Sequence, residues 1–136
     1  MIFEEYIKTG KVIKGERDLQ KARSLIITSD NSFKTAELIE INNITSSTIF
    51  TILYESLREL LEAMCLREGY KIYSHEALTA YLIKLNEERL AEDFDRYRKL
   101  RNGINYYGKQ VSENTIKETK EKIKEISNIL KNKYLK

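Results

Sequence analysis

The stretch spanning residues 44–68 constrains the fold more than any other part of the sequence. Its apolar residues recur at intervals of one, three and four positions, which places them on one face of a helix. They are Ile49, Ile52, Leu53, Leu57, Leu60, Leu61 and Met64. Gly69 follows directly, and glycine at this point is typical of the left-handed residue that ends a helix. We therefore expect a long amphipathic helix at the centre of the core.

Weaker periodicity of the same kind predicts the remaining helices. They are expected over residues 1–13, 18–40, 74–85, 87–107 and 112–134, with residues 70–73 as a short connection. Ser74 and Ser112 stand where N-capping side chains are preferred, and Asn42 and Asn43 form a break with capping chemistry. Gly108 is placed to end the penultimate helix.

Composition supports an all-α chain. There is no proline and there are only five glycines, whereas turn-rich β proteins generally use both. Because short connections favour antiparallel neighbours, we expect an up-and-down antiparallel bundle of four longer helices plus one or two short helices. Its length fits one domain over residues 1–136. The formal net charge is only +3, so any nucleic-acid binding must come from a local patch.

The sequence also limits cofactors and location. The lone cysteine, Cys65, excludes an internal disulfide and lies in an apolar run that predicts a buried thiol. With one histidine and no glycine-rich phosphate loop, neither a metal nor another cofactor is expected. No signal segment and no apolar run of about 20 residues is present, which predicts a cytoplasmic protein without a membrane association.

A polar strip within residues 98–108 departs from plain amphipathicity. Its members stand at i, i+3, i+4 and i+7, so they share one helix face beside the apolar stripe: Arg98, Arg101, Asn102 and Asn105. Tyr106 and Tyr107 follow. Arginine donates to phosphate oxygens through a fixed fork, and tyrosine can stack on a base. The strip therefore predicts a nucleotide- or RNA-binding site formed by these six residues.

The competing interpretation is an ordinary solvated helix face. Arg98 would then pair with Asp95 or Asp93. A second set of charges on the central helix would face water or balance the arginines; it comprises Glu55, Glu59 and Glu62. Two asparagines and Gly103 inside the helix are poor helix formers, and this inconsistency favours a functional site.

The chain resembles the HEPN family of small helical-bundle proteins. The likeness rests on Arg101-Asn102, on Tyr54-Glu-Ser-Leu-Arg-Glu-Leu-Leu-Glu-Ala63, on Glu68-Gly-Tyr70 and on Ser74-His-Glu-Ala-Leu78, and it spans about residues 18–134. The resemblance implies a homodimer, with arginine as phosphate ligand and histidine as acid, base or positioning group. It further implies a metal-independent RNase, in some members the toxin of a toxin-antitoxin pair whose partner is a minimal nucleotidyltransferase.

The sequence departs from the family at the histidine. That residue would fall at Tyr106, Tyr107 or Gly108, and none of these is an easy general base near neutral pH. The only histidine, His75, lies at a helix start and is expected to serve local structure. The leading hypothesis is thus a catalytically degenerate nucleotide- or RNA-binding module, with Arg101, Asn102 and Tyr106 as catalytic candidates.

Two alternatives remain open at this point. The first is an active RNase toxin in which Tyr106 or Asn105 replaces the histidine. The second is a non-enzymatic interaction subunit, since the nine tyrosines suit surfaces that are partly apolar and partly wet.

Overall fold

The computed structural model describes residues 1–136 as six helices and one two-stranded sheet. In chain order the elements are α1 Phe3–Lys8, β1 Val12–Lys14, α2 Leu19–Leu38, α3 Ser46–Arg67, β2 Tyr70–Ile72, α4 Glu76–Lys84, α5 Glu88–Tyr107 and α6 Glu113–Tyr134. The predicted all-α class is confirmed, with four helices of 20 to 22 residues and two short ones.

The four long helices alternate in direction. At one end of the bundle the N–H of Asp18, just before α2, donates to the carbonyl of Leu66 near the end of α3 at 3.0 Å. At the other end the N–H of Val111, just before α6, donates to the hydroxyl of Ser47 at the start of α3 at 3.3 Å. α2 thus begins where α3 ends, whereas α6 begins where α3 begins. α2 and α5 therefore run opposite to α3 and α6, which is the expected up-and-down arrangement.

The small sheet corrects two predictions. The first helix ends at Lys8 rather than at residue 13, because Gly10 adopts a φ of +78° that a helix cannot continue through. The chain then forms β1, which pairs antiparallel with β2 in the segment predicted to be a plain connection. Strands of three residues are too short for the alternation by which a strand is recognised in a sequence.

Helix ends follow the predicted chemistry at most positions. The Ser112 hydroxyl accepts a 3.2 Å hydrogen bond from the N–H of Thr115 as predicted, and Asp18, for which no cap was predicted, accepts one of 3.0 Å from the N–H of Lys21. Gly69 and Gly108 have φ of +89° and +64°, the left-handed conformation expected after α3 and α5.

The core forms around α3. It joins 27 buried residues from every helix and from β1, and the predicted apolar face of α3 supplies much of it. Cys65 is fully buried as expected, and its burial raises the pKa of the thiol. None of the helices combines the length and the apolar character that a membrane crossing requires.

Candidate functional site

Two aromatic contacts fix α5, and with it the polar strip, against α3. The Phe94 ring stacks on Tyr54 with centroids 5.5 Å apart, and Tyr97 meets Phe50 edge-on at 6.0 Å. All four rings are buried. Because Arg101 lies one helical turn beyond Tyr97, its side chain comes to the rim of this aromatic core.

Arg98 is neutralised by carboxylates. Its Nε and Nη2 donate to Oδ1 of Asp95 at 3.2 and 2.8 Å, and its Nη1 lies 3.7 Å from Glu76 at the start of α4. Burial works against the charge of Asp95, but hydrogen bonds from Arg98 and Lys99 hold the pKa of Asp95 below its usual value. Arg98 therefore links α5 to α4 through Glu76. Its pairing with Asp95 is the one that the solvated-face interpretation proposed.

Arg101 has no acidic partner. Its guanidinium carbon lies 5.8 Å from the Tyr54 ring centre, and Nη1 makes one long hydrogen bond of 3.5 Å to Oδ1 of Asn102. No carboxylate forms a salt bridge with it. Its Nε is buried and unpartnered. Buried donors are nearly always satisfied, so this guanidinium keeps both charge and hydrogen-bonding capacity for a ligand.

The glutamates of α3 leave this charge uncompensated. Glu55 and Glu62 both pair with Arg58 on the same helix. Glu59 does not face water, which corrects that expectation: it is 7% exposed, it accepts a 2.8 Å hydrogen bond from Ser32, and burial raises its pKa. None of the three glutamates balances Arg101.

The fold brings His75 into contact with the same tyrosine. The hydroxyl of Tyr54 lies 2.9 Å from Nδ1 of His75, and the two ring centres are 5.9 Å apart. His75 itself is the N-cap residue of α4, so the prediction that Ser74 caps this helix is wrong. His75 was expected to have only a local structural role at the start of α4. It is instead half-buried and hydrogen-bonded to Tyr54 of α3.

The surroundings of His75 keep its imidazole neutral. Burial, followed by the positive charge of Arg58, lowers its pKa to about 4, with a smaller contribution from Arg101 and an opposing one from Glu55. With Nδ1 engaged by Tyr54, the nitrogen left for a ligand is Nε2. That atom is an acceptor if Nδ1 carries the proton and a donor if Nε2 carries it.

The remainder of the strip lies further out. Asn102 is half-buried and Asn105 is exposed, while Tyr106 and Tyr107 are 72% and 87% exposed. No hydrogen bond ties Asn105 or either tyrosine side chain to Arg101. The six predicted residues thus fall into three groups. Arg101 and Asn102 lie against the core, Arg98 is paired with carboxylates, and Asn105, Tyr106 and Tyr107 are exposed.

Three residues around the strip were not assigned to the site from the sequence. Tyr54 has the period of an ordinary core residue, and His75 lies far away in the chain. Lys109 folds back along α5, where its N–H donates to the Gly103 carbonyl at 3.1 Å and its side chain lies over Gly103, 3.3 Å from where a Cβ would stand. The sequence signal for this contact is the glycine inside the helix, one residue after Asn102.

Neither a metal site nor a known relative assigns a function to these residues. No three histidine, cysteine, aspartate or glutamate side chains converge as a metal site. Comparisons with protein-family models, with curated proteins and with solved structures find no match to the chain. The site is therefore interpreted from its own geometry.

Proposed function

We propose that the chain is a cytoplasmic, HEPN-like module that binds RNA or a nucleotide through Arg101. The observation that carries this proposal is the uncompensated guanidinium, held against the Tyr54 ring with its Nε unpartnered. A phosphate oxygen supplies what this group lacks, since arginine and phosphate match in both charge and geometry.

Neighbouring groups suit the rest of such a ligand. Asn102 offers an amide beside the guanidinium, and Lys109 is an exposed cation without a salt bridge. Tyr106 and Tyr107 present open rings on which bases can stack. The site would bind chiefly through phosphate, so affinity should fall as salt rises.

The test is binding of a labelled single-stranded RNA at low salt by Arg101→Gln. We expect a loss of about tenfold or more, because a charged hydrogen bond to phosphate contributes roughly 1.5–3 kcal/mol. The matched control is Arg89→Gln, which makes the same change at an exposed, unpaired position of the same helix. Equal affinities for the wild type and Arg101→Gln would refute the proposal.

A second candidate function is metal-independent RNA cleavage, the activity of RNase toxins. The observation favouring it is the neutral His75, which contacts the same tyrosine as Arg101. In this reaction the ribose 2′-oxygen bonds to phosphorus and the bond to the 5′-oxygen breaks. His75 Nε2 accepts the 2′-hydroxyl proton, Arg101 stabilises the charge on phosphate, and the leaving oxygen takes a proton from water.

Two substitutions separate this candidate from pure binding. His75→Gln should abolish cleavage while leaving RNA affinity within a few-fold of the wild type. Tyr106→Phe should cleave normally, because Tyr106 is largely exposed and lies outside the Tyr54 group. Intact RNA after incubation with wild-type protein would leave binding alone, and loss of cleavage in Tyr106→Phe only would assign the role to Tyr106.

The proposal includes assembly as a homodimer, with a minimal nucleotidyltransferase as a further partner. Two large aliphatic side chains are exposed at the end of the bundle where the chain passes from α2 to α3. They are Leu38 and Ile44, with 87% and 91% of their surface open. Exposed aliphatic side chains of this size suit a protein interface.

Light scattering after size-exclusion chromatography tests the dimer. The wild type should elute at twice the chain mass, and Leu38→Ser combined with Ile44→Ser should shift it to the monomer. Ile27→Ser is the control, because Ile27 is 62% exposed in the middle of α2. A monomeric wild type would remove the homodimer from the proposal and leave the RNA site unaffected.

A further inference from the structure

The outer face of the two-stranded β1–β2 sheet carries two cations and two large side chains: Lys11, Ile13, Lys71 and Tyr73. Ile13 pairs with Lys71, and the N–H of Tyr73 donates to the carbonyl of Lys11 at 2.8 Å, which extends the ladder by one pair. Side chains of a strand alternate between faces, so these four point away from the buried Val12. Tyr73 is 65% exposed and Ile13 50% exposed, and both lysines are open to solvent.

The charge of this face is positive and unpaired. Neither Lys11 nor Lys71 forms a salt bridge, and the same holds for Lys14, Arg17 and Lys21 next to them. Of the nearby carboxylates, Asp18 caps α2 and Glu62 is held by Arg58, which leaves Glu16 and Glu68 free on the adjoining loops. The cations Lys11, Lys14, Arg17, Lys21 and Lys71 outnumber these two. Lys71 borders two depressions of about 440 and 250 Å³, one on each side of the strand.

The outer sheet face is linked to the proposed phosphate site through the residues that follow β2. Tyr73 precedes His75 by two residues, a Cα separation of at most about 7 Å. His75 in turn shares Tyr54 with Arg101. A ligand that occupies the Arg101 site and extends past His75 therefore meets the Tyr73 ring first and the lysine pair next.

We propose that this face binds the continuation of a single RNA strand whose phosphate sits at Arg101. A base stacks on Tyr73, and the following phosphates contact Lys71 and Lys11. This extension rests on the proposed function and narrows its substrate class to single-stranded RNA of several nucleotides. An open tyrosine beside unpaired lysines suits unstacked bases on a charged backbone, whereas the bases of a duplex are already stacked and a mononucleotide cannot reach both places.

The experiment compares a labelled oligouridylate of about 12 nucleotides with a uridine dinucleotide, both measured against the full chain. Tyr73→Ala and the pair Lys11→Gln with Lys71→Gln should each weaken the long strand about tenfold and leave the dinucleotide unchanged. The lysine pair should also reduce the slope of log affinity against log salt by about 1.4. The control pair is Lys117→Gln with Lys124→Gln, two exposed and unpaired lysines on α6.

Arg101→Gln reports on the proposed function separately, because it should weaken both ligands. If Arg101→Gln weakens both and the sheet-face variants change neither, the extension is overturned and a nucleotide-sized site stands. If the sheet-face variants act and Arg101→Gln does not, the path from Arg101 to the sheet is overturned. Binding to phosphatidylserine vesicles that depends on the sheet face, without binding to RNA, would also overturn the proposal, in favour of a membrane surface. Thermal melts of each variant verify that these exposed substitutions leave the fold intact.

Discussion

Tyr54 and His75 are joined by a 2.9 Å contact between the tyrosine hydroxyl and Nδ1, across 21 positions of the chain. This contact ties the start of α4 to the middle of α3. The Tyr54 ring also contacts Arg101, so one buried side chain positions both a cation and an imidazole. Burial raises the pKa of Tyr54, which keeps its hydroxyl protonated and able to serve in this role.

We predict that His75 titrates with a pKa of about 4, far below the ordinary 6.5. Because it is the only histidine, its ring signals in a proton NMR spectrum are unambiguous. Arg58→Gln should raise the pKa, since it removes the largest charge acting on the ring and frees the carboxylates of Glu55 and Glu62. Arg23→Gln, at an exposed position of α2, should leave it unchanged. A pKa near 6.5 in the wild type would contradict this account of the site.

The same shift predicts how stability depends on pH. A histidine whose pKa is lower in the folded state binds more protons when the chain is unfolded. Its contribution to the free energy of unfolding is therefore complete above about pH 6.5 and is lost as the pH falls towards 4. After allowance for the partial exposure of the ring, the free energy of unfolding should drop by about 1 kcal/mol between roughly pH 7 and pH 5. Urea denaturation measures this loss.

His75→Gln provides the comparison for the pH dependence. Its amide does not titrate, so its unfolding free energy should change less than that of the wild type over the same interval. Parallel curves for the two proteins would show that other groups cause the dependence.

The sequence predicted the long helices because each contains several turns of a regular apolar pattern. The same pattern could not reveal the partners of Arg98 and Arg101, which share one helix face but differ in what packs beside them. Arg98 meets Asp95 of its own helix, an i, i+3 pair that is visible in the sequence. Tyr54 and His75 reach Arg101 only because α3, α4 and α5 pack together, and such contacts between distant segments leave no local signal.

Arg98 and Arg101 should therefore respond in opposite ways to the same substitution. Arg98→Gln should lower the free energy of unfolding by about 1–2 kcal/mol, because it leaves the half-buried Asp95 short of hydrogen bonds and breaks the link to Glu76. Its effect on RNA affinity should be small. Arg101→Gln should cost less than about 1 kcal/mol, the contribution of an arginine on an aromatic ring, while it weakens RNA binding.

Chemical denaturation and RNA titration on the two proteins measure both effects. If Arg98→Gln weakened RNA binding as much as Arg101→Gln while remaining stable, Arg98 would belong to the binding site after all, as the periodicity of the strip predicts.

Gly69 should be the least replaceable glycine of the chain. It has a φ of +89°, and a Cβ there would lie 2.3 Å from the carbonyl oxygen of Gly15, whose own N–H donates to the Gly69 carbonyl at 2.7 Å. Gly69→Ala must strain the backbone and also push β1 away from β2, which should lower the free energy of unfolding by roughly 2–4 kcal/mol.

Gly10→Ala separates the two causes, because Gly10 has a similar φ of +78° with open space around it and should lose only about 1–2 kcal/mol. Equal losses in the two variants, measured by thermal or urea unfolding, would mean that the close approach of Gly15 is easily relieved. Since Tyr73 and His75 follow β2 directly, the larger loss at Gly69 should be accompanied by a rise in the pKa of His75 as its burial is reduced.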